Sequence, residues 1–151
     1  MKTLSDPDVS RVDVGKVVTT SIAALNMLPA HCGEERDRRV FAEEFQTFEI
    51  LGRVTVARRE ADGDYHVALA DPQTGETIIV EAVDPLCAHA STSPYLEALQ
   101  QVRMQLVGSG SLVGQVVRVR GVGFFDFNHN QTGRSRSCIE LHPILGIERV
   151  G

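Results

Sequence analysis

The sequence predicts a mainly β fold: a five-stranded Greek-key barrel carrying one or two helices. Three observations lead there. A long period-two stretch over 45–58 is followed by two shorter strands bounded by turn residues. A helical face over 95–107 interrupts the strands. Two further strands, over 116–122 and 138–147, then flank a connection rich in glycine and phenylalanine.

Residues 1–13 are polar and read as a disordered leader. Residues 14–151 read as a single domain, large enough for a real core. Over 17–28, Thr20 or Ser21 is placed to cap a short helix carrying Ile22, Leu25 and Leu28, which Pro29 stops. Residues 31–39 are charged and read as a loop. In the next strand Phe48, Ile50, Val54 and Val56 share one parity, and Glu49, Arg53 and Thr55 the other. Gly52 in its middle marks a bulge or bend. Asp62-Gly63 is a hairpin signal, Tyr65 to Ala70 returns, Asp71 to Gly75 turns again, and 77–83 makes a third strand. Ser93-Pro94 opens a helix whose face runs Leu96, Leu99, Val102, Met104 and Leu106 before Gly108-Ser109-Gly110-Ser111 ends it. The order strand, strand, strand, helix, strand, strand is that of the OB-fold, whose long first strand bends to serve both sheets.

The net charge of −5 argues against a general nucleic-acid binder, but the charge is uneven. Residues 1–102 hold 9 basic and 17 acidic side chains, a balance of −8; residues 103–151 hold 6 and 3, a balance of +3. Arg118 and Arg120 share a strand face, and Arg134 and Arg136 follow in the next loop. That is an anion-binding patch or, equally, a solvated surface. Cys32, Cys87 and Cys138 have no close metal spacing. They suit one disulfide and a free thiol in an exported protein, or three thiols in the cytosol. No apolar run is long enough to span a membrane and no signal peptide is visible, so the compartment stays open.

Several residues carry possible chemistry. Asp64 and His66 point to one side of a strand, with Asp62 beside them. They suit a divalent cation, although Asp-Gly is also ordinary hairpin chemistry. Asp126-Phe127-Asn128-His129-Asn130 looks like the opening of a calcium loop, but Gln131 and Ser137 stand where that loop needs Gly and Glu. The alternative is a structural knot. There Asp126 and Thr132 bond the loop backbone while Phe124 or Phe125 plugs the barrel. Glu140 and His142 share a face of the last strand and are expected to meet His129 and His66 at one barrel end. Such a group is a metal or acid–base cluster, or a buried hydrogen-bond network, with the network preferred.

Three stretches carry a family likeness: Asp62-Gly63-Asp64-Tyr65-His66, Thr77 to Glu81 with Pro85 and Cys87, and Gly121 to Phe127 with His129, Gln131-Thr132-Gly133 and Glu140-Leu141-His142-Pro143. In these the chain resembles a family of uncharacterised bacterial OB-like proteins, often exported, over roughly residues 15–148. The resemblance implies the fold and no particular activity. The chain departs from the pattern at Asn130, where the family has Gly, and at Ser137-Cys138, where it has Asn-Gly. A weaker resemblance is to staphylococcal-nuclease-like OB domains, through Asp62-Gly63-Asp64 and Asp84-Pro85. Ile79 and Cys87 stand where those enzymes carry a phosphate-clamping Arg and a catalytic Glu, so phosphodiester hydrolysis by that route is not expected.

The leading expectation is a non-enzymatic OB-like module with no cofactor. It would bind an oligonucleotide, an oligosaccharide or a protein segment on a face of Arg118, Arg120, Phe125, Phe127, His129 and Arg134. The competing expectation is a nuclease-like hydrolase with a divalent metal on Asp62, Asp64, His66, Asp126, His129, Glu140 and His142.

Overall fold

The computed structural model describes residues 1–33 and 35–151; Glu34, in the charged loop expected over 31–39, lies outside the described residues. The regular elements are β1 (Asp13–Thr19), α1 (Ile22–Asn26), β2 (Gln46–Arg59), β3 (Tyr65–Ala70), β4 (Thr77–Ala82), α2 (Leu96–Gly108), β5 (Val116–Phe125) and β6 (Ile139–Arg149). The strands run in the order β1-β2-β3-β4-β6-β5, and a further pairing of β2 with β5 closes five of them into an OB-like barrel. Among the described residues no helix is long and apolar enough to cross a membrane.

Strand β2 makes the closure possible. Thr47 to Arg53 pair with β5, and Arg53 to Arg59 pair with β3, so Arg53 belongs to both ladders. Gly52 sits at this hand-over. A Cβ there would lie 2.8 Å from Leu69 Cβ and 2.9 Å from Ile22 Cδ1, so only glycine lets β3 and α1 pack so close. The ladder irregularity itself falls between Val54 and Val56, just past the bend expected at Gly52.

Ser21 caps α1 as expected, its Oγ accepting from the Ala24 N–H at 3.0 Å. Residues 13–19, not predicted as a strand, form β1 parallel to β2. Most of β1 is exposed, so it lacks the apolar alternation that would have announced it. Helix α2 buries Leu99, Val102 and Leu106, while Met104, expected on that face, is 65% exposed.

The leader expected to be disordered is packed. Leu4 is fully buried, and Asp6 meets the buried Arg39 through two hydrogen bonds of 3.0 and 3.1 Å. Ser93 Oγ also donates to the Leu4 carbonyl at 3.0 Å. Buried Leu4 and Val12 and the ion pairs of Asp6 with Arg39 and of Lys2 with Asp126 anchor the segment, and none of these makes a periodic pattern. Cys32 and Cys138 are joined by a disulfide that ties the loop before β2 to the start of β6, and Cys87 is free.

Candidate functional site

Strand parity builds the site. Val67 and Leu69 on β3, Ile78 and Val80 on β4, and Ile139 and Leu141 on β6 all belong to the barrel core. Their alternate neighbours His66, Glu81, Glu140 and His142 therefore point outward. Of the residues expected to meet at a barrel end, His66, Glu140 and His142 lie together on the outer face of β3, β4 and β6 instead, and His129 stands apart with Asp126. The connection between β5 and β6 roofs this face. Gly133 packs so tightly on Ala68 that a Cβ could not be accommodated.

His66 lies opposite Glu81 in the β3–β4 ladder. Its Nδ1 is 3.1 Å from Glu81 Oε1 and its Nε2 is 2.9 Å from the Thr132 carbonyl. Both ring nitrogens face acceptors, so the imidazolium satisfies them best. The Glu81 bond accordingly raises His66 above the ordinary imidazole range, against the effect of burial. Burial opposes ionisation of Glu81, but the His66 bond and nearby positive charge outweigh it and hold the carboxyl at about 2.

His142 is 1% exposed. Its Nδ1 is 3.2 Å from Glu81 Oε2 and 3.8 Å from Glu140 Oε2, and its Nε2 is 3.8 Å from Asp64 Oδ2. The closest of these is not aligned as a hydrogen bond. Neither ring nitrogen of His142, nor Glu140 Oε2, has a hydrogen-bond partner among the described residues. Burial lowers His142 to about 4, so its ring is neutral at pH 7. Burial, followed by the negative charges of Asp126 and Glu81, raises Glu140 well above the carboxylate range. Asp64 is raised to about 6, first by burial and then by the charges of Asp62 and Glu81.

The hairpin between β2 and β3 delivers Asp64. Gly63 has φ +94, and a Cβ there would collide with the Asp84 carboxylate. Asp84 N–H donates to Asp64 Oδ1 at 2.7 Å, and Asp64 N–H donates to Asp62 Oδ1 at 3.0 Å. From α2, Arg103 donates to the Gly63 carbonyl and lies over the Tyr65 ring at 4.6 Å. A cleft of about 470 Å³ opens between this hairpin and the β5–β6 connection, with His66 and Glu81 in its wall.

Of the residues expected in a metal cluster, Asp64, His66, Glu140 and His142 come together. Asp62 serves the turn. Asp126 and His129 form their own pair at 3.2 Å, joined by Gln131 Nε2 at 3.0 Å and Lys2 at 3.7 Å. Asn128 Oδ1 accepts from the Asn130 N–H at 3.2 Å, so the calcium-like residues fold the loop. Asn130 and Cys138 both have φ 64, the left-handed conformation that glycine adopts most readily.

The expected basic and aromatic face is dispersed. Arg118 and Arg120 lie near one end of β5 and Phe125 at the other, about 23 Å from Arg118 at strand rise. Arg118 is held by Glu148 at 2.7 Å and Glu49 at 3.8 Å. Phe125 is in the core, edge-on to Phe41 and His31, in the role that the structural alternative gave to it or to Phe124, whereas Asp126 bonds the side chains of His129 and Gln131 rather than loop backbone. Arg134 turns back to Cys138 Sγ at 3.1 Å. Of this set His129 lines the cleft, with the Phe127 ring 4.6 Å from its own.

Sequence reasoning left two participants out of the site. Glu81 is the one charged residue in Thr77-Ile78-Ile79-Val80-Glu81-Ala82, and an acid in such a strand was the available signal. Lys2 belonged to the segment set aside as a leader, and no local pattern marks it.

The fold and this outer face together define an OB-like barrel with a polar site between its first hairpin and its last connection. No family model and no curated protein matches the chain. It is similar to a crystal structure of the S. pombe Stn1-Ten1 complex, at 15% identity and a TM-score of 0.41, covering 69% of this chain and 57% of that one. It is also similar to apo TiaS, tRNAIle2 agmatidine synthetase, at 13% identity and a TM-score of 0.33, covering 88% of this chain and 32% of that one. The chain thus spans less than two thirds of either. Both likenesses are distant, and neither bears on what this chain binds.

Proposed function

We propose that the protein is a binding module whose ligand occupies the cleft between the β2–β3 hairpin and the β5–β6 connection. The position of the cleft carries this reading. It abuts the face of the second and third barrel strands and lies between the two loops that OB-folds use for oligonucleotides and oligosaccharides. Its chemistry selects between those ligands. Lys2, Arg58 and the His66 imidazolium meet Glu60, Asp62, Glu81 and Asp126 in its lining, so it offers a phosphate backbone no net attraction. Asn130 offers an amide side chain, and His129, whose ring lies 4.6 Å from that of Phe127, offers an aromatic surface. A polyhydroxylated, uncharged or cationic chain, an oligosaccharide, suits this lining best.

The test is a titration followed by amide NMR shifts, using cellohexaose, chitohexaose and a single-stranded oligothymidine at low salt. Saturable shifts confined to residues 60–66 and 126–132 are expected with at least one sugar and not with the oligonucleotide. Saturable binding of the oligonucleotide alone, or no response to either sugar, would overturn the reading. The competing metal-dependent hydrolase would need a metal at the neighbouring cluster, which is a separable question.

A further inference from the structure

We propose that Asp64, Glu81 and His142 bind a divalent transition-metal ion, of the zinc or manganese kind, beneath the wall of the cleft. The inference rests on this face being the functional one, but not on the ligand being a sugar. Each of the three residues offers one donor atom, and the three donors lie within 4.8 Å of one another. Two carboxylates with one imidazole are a donor set that zinc and manganese accept, whereas calcium and magnesium favour oxygen alone.

The surroundings hold these donors in place while leaving them free. His66 engages Glu81 Oε1, leaving Oε2 toward His142. The Asp84 N–H engages Asp64 Oδ1, leaving Oδ2 toward His142. Each carboxylate therefore has one oxygen fixed and one presented, the arrangement by which neighbouring hydrogen bonds orient metal ligands. His142 is the independent sign of a missing partner. It is wholly buried, faces both free oxygens, and has no hydrogen bond on either nitrogen among the described residues. The unpartnered Glu140 Oε2 stands 3.8 Å from its Nδ1, too far for a hydrogen bond. The side chains of Asp64 and Glu81 are 18% and 17% exposed, so the triad opens to solvent on their side.

The full chain, stripped with EDTA and dialysed, is titrated calorimetrically with Zn²⁺ and with Mn²⁺ in the absence of sugar. One ion per chain is expected for at least one metal, and the melting temperature should rise by about 5 °C or more when that metal is about a hundredfold above its Kd. Asp64→Asn and Glu81→Gln should each weaken binding at least about tenfold. Glu97→Gln on α2 and Glu148→Gln on β6, exposed acids outside the cleft, should leave it within about twofold. Circular dichroism of each metal-free variant checks folding, and the partly exposed Asp64 keeps the test open if a change at His142 prevents folding. Absence of saturable binding by both metals would overturn the proposal. So would binding that survives both Asp64→Asn and Glu81→Gln. Sugar titration in EDTA separates the two readings, since the cleft can bind sugar without metal and the triad metal without sugar.

Discussion

Glu44 and Glu140 are both buried glutamates, and their surroundings are opposite. Arg36 donates to both Glu44 oxygens, at 2.6 and 2.9 Å, and the backbone N–H groups of Val40, Phe41 and Phe125 donate to them as well. Burial works against its charge, but Arg36 and these backbone donors outweigh it and keep the carboxyl below its ordinary range. Among the described residues Glu140 has no such shell, and burial raises it. A fully satisfied buried charge belongs to the structure, since nothing is left over for a ligand to use. An unsatisfied one stores unused bonding capacity, which is what a binding site requires.

The strongest way to break this contrast is Glu44→Gln. The amide cannot pair ionically with Arg36, and its NH₂ would confront backbone donors. A loss of about 3–5 kcal/mol is expected, read from urea unfolding at pH 7. A loss below about 1 kcal/mol would show that Glu44 is as idle as Glu140 and would remove the contrast.

The sequence shows some of this contrast and conceals the rest. Parity alone shows that Glu140 and His142 share a face, and that His66 shares one with Asp64, because side-chain alternation is a property of any strand. It does not say which face is the core. That choice depends on barrel closure through Gly52 and Arg53, so the cluster was expected at a barrel end and lies on an outer face. Glu81 needed the same information, for its neighbours Val80 and Ala82 face the core and only the β3–β4 register sets it opposite His66. Alternate apolar residues fill barrels, so the sequence offers Phe124 or Phe125 as a plug, and only barrel closure shows that Phe125 faces the core. Glu44 gave no signal at all, because its partner Arg36 lies in a loop without periodicity and its other partners are backbone groups.

A smaller effect should appear on acidification. His142 is at about 4 in the folded protein and near its ordinary 6.5 when unfolded. The unfolded chain therefore takes up the proton first, and stability is lost as pH falls from 6.5 toward 4. At about 1.4 kcal/mol per unit this amounts to at most about 3 kcal/mol. The quantity to measure is the difference in urea midpoint between wild type and His142→Asn, both metal-free, at pH 7 and pH 4. A difference is needed because Asp64 and Glu140, both raised, change stability with the opposite sign. If the difference between the two proteins is the same at both pH values, His142 is not a buried neutral ring and its environment differs from that described.

The smallest effect has the most telling sign. Glu140→Gln keeps the shape and removes the acid. Because Glu140 is raised in the folded state, the wild type loses stability as pH climbs from about 4.5, the carboxyl's ordinary value, toward the folded one, while the variant does not. The metal-free variant should thus be more stable than wild type by about 1–2 kcal/mol at pH 8 and nearly equal to it at pH 4, by urea unfolding. The same isosteric change then destabilises at position 44 and stabilises at position 140. Should Glu140→Gln instead destabilise at pH 8, the carboxylate must already have a partner that its ionised form holds. The bonding capacity assigned to this face would then be spent within the fold, and Glu140 would join Glu44 as a structural charge.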